Sequence, residues 1–119
     1  MSDLYQEIIL DHAQHPRNFG VLDNPTHTIR ELNASCGDNI EFSFHIKDNI
    51  IQDIAWKGAG CAISTASSSI ISDLIKGRTV QYAKSLTQHE VFREIGVSSI
   101  LPTREKCLML PLRVLRSLP

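Results

Sequence analysis

Three cysteines stand at points where the chain changes character: Cys36 in Ala34-Ser35-Cys36-Gly37-Asp38, Cys61 directly after Gly58-Ala59-Gly60, and Cys107 directly after Lys106. As a thiolate, a cysteine binds soft metals and attacks sulfur. Asp38 follows Cys36 across a glycine, whose backbone freedom permits a turn that aims both side chains at one point. Three thiolates and one carboxylate form a four-coordinate set that suits zinc, or an iron–sulfur cluster with one weak ligand. A carboxylate is harder than a thiolate and holds a soft metal less firmly. Such a set favours release of its contents over storage.

Plainer roles compete with that chemistry. Free cysteine is among the most buried residue types and often only packs. Asp38 in Cys-Gly-Asp-Asn also reads as a turn residue. The intervals between the cysteines, 25 and 46 residues, match no short zinc motif, and no CxxC occurs. The residues alone leave a shared site and separate packing roles both open. His12, His15, His27, His45 and His89 are scattered and read as surface or helix-end residues. Ser64, Ser67, Ser68 and Ser69 read as a helix face packed closely on a neighbour. None sits in the Gly-x-Ser-x-Gly of a serine hydrolase. Gly58-x-Gly60 lacks the third glycine of a dinucleotide fingerprint.

Composition narrows the class. The chain has 119 residues, 42% of them apolar, which suits one domain over 1–119 with a modest core. Twelve basic and 13 acidic residues leave a net charge of -1, so no basic excess exists to neutralise the phosphates of a nucleic acid. An odd number of cysteines argues against a secreted disulfide framework. Met1-Ser2-Asp3-Leu4 does not open a signal peptide, and no apolar run is long enough to span a membrane. The expected location is cytoplasmic.

The elements that must position these residues follow from periodicity. Residues 3–14 read as a helix capped by Asp3, with Leu4, Tyr5, Ile8 and Ile9 on one stripe, ended by His15-Pro16. Asn39–Lys47 alternates, with Ile40, Phe42, Phe44 and Ile46 on one face. Asp48-Asn49 signals a turn into a partner strand over Ile50–Lys57, and Thr26–Ala34 is a weaker strand. After Gly60 the period becomes helical through Ile63, Ala66, Ile70, Ile71 and Leu74, and Gly77 stops it. Thr87-Gln88-His89-Glu90 is a capping box before a short helix, and Thr103 caps a last helix to about Leu118 with Pro111 inside. The expected fold is α+β: a small three-stranded antiparallel sheet with helices packed on one face, in a single domain. Cys61 and Cys107 would then sit in first helical turns, where free N–H groups and the helix dipole favour a thiolate.

At these residues the chain resembles the IscU/SufU/NifU N-terminal-domain family of iron–sulfur assembly scaffolds, over nearly its whole length. The resemblance is carried by Leu4-Tyr5 through His12, His15-Pro16-Arg17-Asn18-Phe19-Gly20, Cys36-Gly37-Asp38, Gly58-Ala59-Gly60-Cys61-Ala62-Ile63-Ser64 with Ala66-Ser67-Ser68-Ser69, Lys76-Gly77-Arg78-Thr79, and Lys106-Cys107. It implies that Cys36, Asp38, Cys61 and Cys107 are the ligands of zinc or a [2Fe–2S] cluster, and that a cysteine thiolate among them takes the persulfide. It implies a cysteine desulfurase as sulfur donor and apo iron–sulfur proteins as recipients. Two departures place the chain between branches. Lys106 stands where the IscU branch has histidine, and Leu101-Pro102-Thr103-Arg104-Glu105 keeps only the first two residues of that branch's Leu-Pro-Pro-Val-Lys segment, so docking of the dedicated chaperone is not implied. The basic residue before Cys107 looks like the SufU branch, whose members bind zinc and relay sulfur. The 46-residue interval lacks that branch's insertion. The implied activities are therefore a scaffold for a labile cluster or a zinc-dependent sulfur acceptor resembling a sulfurtransferase. A zinc-stabilised binding module without sulfur chemistry is the remaining alternative.

Overall fold

The computed structural model describes residues 3–33, 37–95 and 102–119, without the side chains of 3–6, 102–105, 107 and 108. In order, the elements are α1 (Asp3–Gln14), β1 (His27–Asn33), β2 (Asp38–Lys47), β3 (Ile50–Ala59), α2 (Ala62–Ile75), α3 (Val80–Ser85), α4 (Gln88–Ile95) and α5 (Pro102–Arg116).

The three strands form one antiparallel sheet in the order β1-β2-β3. Asp48 and Asn49 join β2 to β3 with φ of 54° and 67°. Two consecutive left-handed residues match the right-handed twist of a hairpin, and Asp and Asn tolerate that conformation. Ile29, Phe42 and Trp56 lie in one row across the sheet. Their face carries the core: Phe42 and Phe44 are fully buried, and Trp56 stacks on Phe42 with 6.5 Å between rings. The helices supply Ile63, Ile70 and Ile71 from α2 and Leu110, Leu112 and Leu115 from α5. On the opposite face Arg30 and Lys57 flank Glu41 at 2.6 and 3.4 Å.

The segment after α1 laces two layers together. Trp56 donates its backbone N–H to Asn18 O and its indole N–H to Arg17 O, while Gly20 N–H returns to Trp56 O. Arg17 N–H donates to Ser69 Oγ at 2.8 Å, and the Asn18 amide donates to Ser72 Oγ at 2.9 Å. The buried serines of α2 are thus a closely packed, hydrogen-bonded face, as the sequence suggested.

The structure corrects some expectations. A six-residue helix, α3, occupies a stretch in which no element was foreseen; Thr79 caps it by accepting from Tyr82 N–H. α5 begins at Pro102, so Thr103 is inside the helix and does not cap it. A proline tolerates the first helical position because its missing N–H has no partner there in any case. Cys107 is consequently in the second turn, where its own amide belongs to the helical ladder and the free N–H groups of the first turn are not its own.

Candidate functional site

The β2 alternation, carried one step back from Ile40, puts Asp38 on the core side of the sheet. The register places Asp38 opposite Asn33, and Asn39 opposite Ala59. Asp38 therefore sits at the sheet end where β1, β2 and β3 meet the start of α2. It opens β2 and is buried at 6% exposure, so its carboxylate does not face solvent. Among the described residues, Asp38 Oδ2 is the buried side-chain oxygen that has no hydrogen-bond partner.

Glycines explain how the carboxylate fits. A Cβ on Gly60 would lie 2.9 Å from Asp38 Cγ and 3.1 Å from Oδ2, and would overlap Ser64 Oγ. A Cβ on Gly58 would overlap Asn39 O and lie 2.9 Å from Ile40 Cα. These two glycines permit close approach between β3 and β2, and neither needs a positive φ. Their spacing, uninformative as a nucleotide motif, is a packing requirement of this corner.

Cys61 is the N-cap of α2, with φ -73° and ψ 169°, and its side chain makes no capping bond. No acidic residue lies in the first turn of α2. The first N–H groups of a helix have no intrahelical acceptor, so this end carries partial positive charge. Cys61 is partly exposed and unpaired as a free thiol. Three residues on, on the same side of the first turn, Ser64 is 6% exposed and its hydroxyl donates to Cys61 O at 3.2 Å.

The donor chemistry of this corner fits a cation. A buried carboxylate oxygen without a partner is costly unless a hydrogen bond or a metal completes it. Asp38 supplies a hard oxygen, and the neighbouring Cys61 a soft sulfur. Among the described residues no three His, Cys, Asp or Glu side chains converge on a metal-sized point. Cys36 lies outside the described residues, two positions before Asp38. Cys107 lies on α5, but its side chain is outside the description. Six residues further along α5, Arg113 pairs with Glu31 of β1 at 2.8 Å, which ties this helix to the strand that ends at Asn33.

Two of the histidines hold hydrogen bonds within the fold. His12 Nδ1 hydrogen-bonds Ser69 Oγ at 2.7 Å on the far part of α2, and His45 Nε2 meets Asp23 O at 2.8 Å. Ser64 is the residue whose place beside Asp38 the sequence reading missed. Its signal was the three-residue spacing from an N-cap, which sets both side chains over one turn. No helix of the described residues is long and apolar enough to cross a membrane.

Comparison with known proteins agrees with this architecture. Residues 4–117 match the family model of the NifU-like N terminal domain. The iron-sulfur cluster assembly scaffold protein IscU of Aquifex aeolicus is 35% identical over 117 residues, covering 97% of this chain and 73% of its own. The zinc-dependent sulfurtransferase SufU of Bacillus subtilis is 36% identical over 88 residues, covering 74% of this chain and 59% of its own. A crystal structure from Fervidobacterium islandicum, described as a candidate iron-sulfur cluster assembly scaffold for the SUF system, superposes with a TM-score of 0.79 at 28% identity, over 94% of this chain and 93% of that one.

Proposed function

Because the chain belongs to the NifU-like N-terminal-domain family, we propose that it is an iron–sulfur cluster assembly scaffold that takes sulfur from a cysteine desulfurase and hands a labile [2Fe–2S] cluster to apo-proteins. In this reading Cys36, Asp38, Cys61 and Cys107 hold the cargo. The observation that carries it is the buried, unpartnered Oδ2 of Asp38, set against Gly60 and beside the N-cap Cys61. Nothing in the described fold uses that oxygen, and a carboxylate held at this corner for a cation accounts for its burial. Sulfur arrives by thiol exchange: a thiolate of this chain attacks the terminal sulfur of the donor's persulfide. A new S–S bond forms, the old one breaks, and the donor cysteine leaves as thiolate with the electron pair. Location in the cytoplasm fits the absence of a membrane-crossing helix among the described residues.

The likeness to a zinc-dependent sulfurtransferase supports a second reading, in which zinc is resident and the chain relays persulfide to a partner. Zinc is satisfied by a rigid tetrahedral set of thiolates and one carboxylate, and Asp38 is rigidly placed by the ladder. Anaerobic reconstitution with iron and sulfide, followed by visible absorption and metal analysis, tests the proposal. Cluster absorption at about one cluster per chain, lost in Cys61→Ser, supports the scaffold. A chain that binds neither cluster nor zinc refutes both readings.

A further inference from the structure

Ser64 stands beside Asp38 at the start of α2. Its hydroxyl and the Asp38 carboxylate both crowd the point where a Gly60 Cβ would be, the carboxylate carbon at 2.9 Å and Oδ2 at 3.1 Å from it. Ser64 is 6% exposed, so its hydroxyl bonds within the protein and not to bulk water. Its present acceptor, Cys61 O, is 3.2 Å away, long for a hydroxyl bond, whose usual range is about 2.5–3.0 Å. One buried donor is therefore weakly engaged, and one buried acceptor in the same small space is not engaged at all.

We propose that Ser64 is the positioning residue of the site: its hydroxyl donates to the Asp38 carboxylate oxygen that the metal leaves free. This rests on the reading of Asp38 as a ligand. A carboxylate bound through one oxygen can swing about its Cβ–Cγ bond, and a fixed donor to the second oxygen stops the swing. Once a metal holds the carboxylate in place, rotation of the Ser64 side chain exchanges a long bond to a carbonyl for a charge-assisted bond to a carboxylate, which is about twice as strong as a neutral one. Gly60 keeps the space between them open, since any side chain there would separate donor from acceptor. Ser68, one turn further on, donates to Ser64 O at 2.8 Å and holds the backbone at this position. That bond leaves the Ser64 hydroxyl itself uncommitted.

The test uses the full chain with zinc as the probe. Affinity is measured by competition with a chromophoric chelator, and geometry by the visible bands of the cobalt-substituted protein. Partners of ligating groups typically contribute about 10–100-fold to metal affinity. Ser64→Ala is therefore expected to weaken zinc binding about 10–100-fold and to alter the cobalt spectrum, with the metal-free melting temperature close to wild type. Ser64→Thr, which keeps the hydroxyl, should restore most of the affinity. In an Asp38→Ala background, Ser64→Ala should change nothing further. Full affinity in Ser64→Ala, while Asp38→Ala is weakened, overturns the positioning role alone. Equal losses from Ser64→Ala with and without Asp38 overturn it too, by showing that Ser64 acts through the fold. If Asp38→Ala binds zinc as tightly as wild type, the ligand assignment fails and the inference falls with it.

Discussion

Replacing Asp38 by alanine should stabilise the metal-free chain. In the folded state Oδ2 is buried without a partner, whereas in the unfolded chain water solvates it. An unsatisfied buried polar group costs about 1–3 kcal/mol, and more when charged. Truncation leaves a cavity no larger than the carboxyl group removed, which at about 24 cal/mol per Å³ costs less than about 1 kcal/mol. The difference leaves a net gain of about 1 kcal/mol. For a domain of this size that raises the melting temperature by about 4 °C. Zinc should reverse the order, because a ligand at 100 times its Kd adds about 2.7 kcal/mol to a chain that binds it. The assay is thermal unfolding of wild type and Asp38→Ala, each with chelator and with excess zinc. A turn residue would behave differently: its loss would cost about 1 kcal/mol with or without metal. A metal-free Asp38→Ala protein that melts below wild type would refute the argument, since the carboxylate would then be holding the fold.

Further outcomes follow from the same geometry. Cys107→Ser should sharply lower zinc or cluster content if that cysteine completes the site; full stoichiometry and affinity in metal analysis would remove it from the set. Asp38→Ala should hold a reconstituted cluster longer and pass it more slowly to an apo-ferredoxin, because three thiolates remain while the exchangeable oxygen is gone; equal transfer rates would make Asp38 irrelevant to release. Gly60→Ala should cost about 1–3 kcal/mol in urea unfolding by overpacking Asp38 and Ser64, and should weaken metal binding as well. Burial first, and then Arg17, hold the His12 imidazole below its ordinary value, against the opposing charges of Asp11 and Asp73. The unfolded chain then binds more protons below about pH 6.5, so stability falls as pH drops through that region. His12→Gln should flatten this part of the stability profile, and an unchanged slope in urea titrations between pH 7 and 5 would show that His12 is not its source.

Much of the scaffold was legible because local chemistry agreed with the global fold. Asp48-Asn49 signalled a turn, and the structure turns there, with both residues left-handed. Thr87 and Glu90 cap reciprocally: Thr87 N–H donates to Glu90 Oε1 at 3.2 Å, and Glu90 N–H to Thr87 Oγ1 at 3.3 Å. Gly77, with φ 81°, ends α2 where the stripe of isoleucines ends. What was missed has physical reasons too. α3 is too short for a period to emerge, and its main sign is the Thr79 cap. The lacing of Arg17 and Asn18 to Trp56, Ser69 and Ser72 joins residues up to 55 apart in sequence, beyond any local pattern. Most of the site is of this kind. Asp38 and Ser64 meet because a strand register and a helix start coincide, and each looks ordinary along the chain.

That coincidence also explains why the site sits at a sheet end. A metal ligand must be held close to its productive geometry before the ion arrives, and sites on rigid elements hold it better than sites on loops. The ladder fixes Asp38 opposite Asn33 on β1, and the next residue, Asn39, opposite Ala59 on β3. The close approach at Gly58 and Gly60 sets how far β3 stands from β2 before the chain turns into α2. Cys61 is then placed by the helix start, and its sulfur is left free of capping. A more stable chain could be made by filling this corner with apolar groups, since a buried, unpaired carboxylate works against folding. The corner instead combines an orphan oxygen, a thiol and a weakly held hydroxyl, three groups that fold stability does not require together. On the proposed reading, a soft, exchangeable cation site would use all three at once.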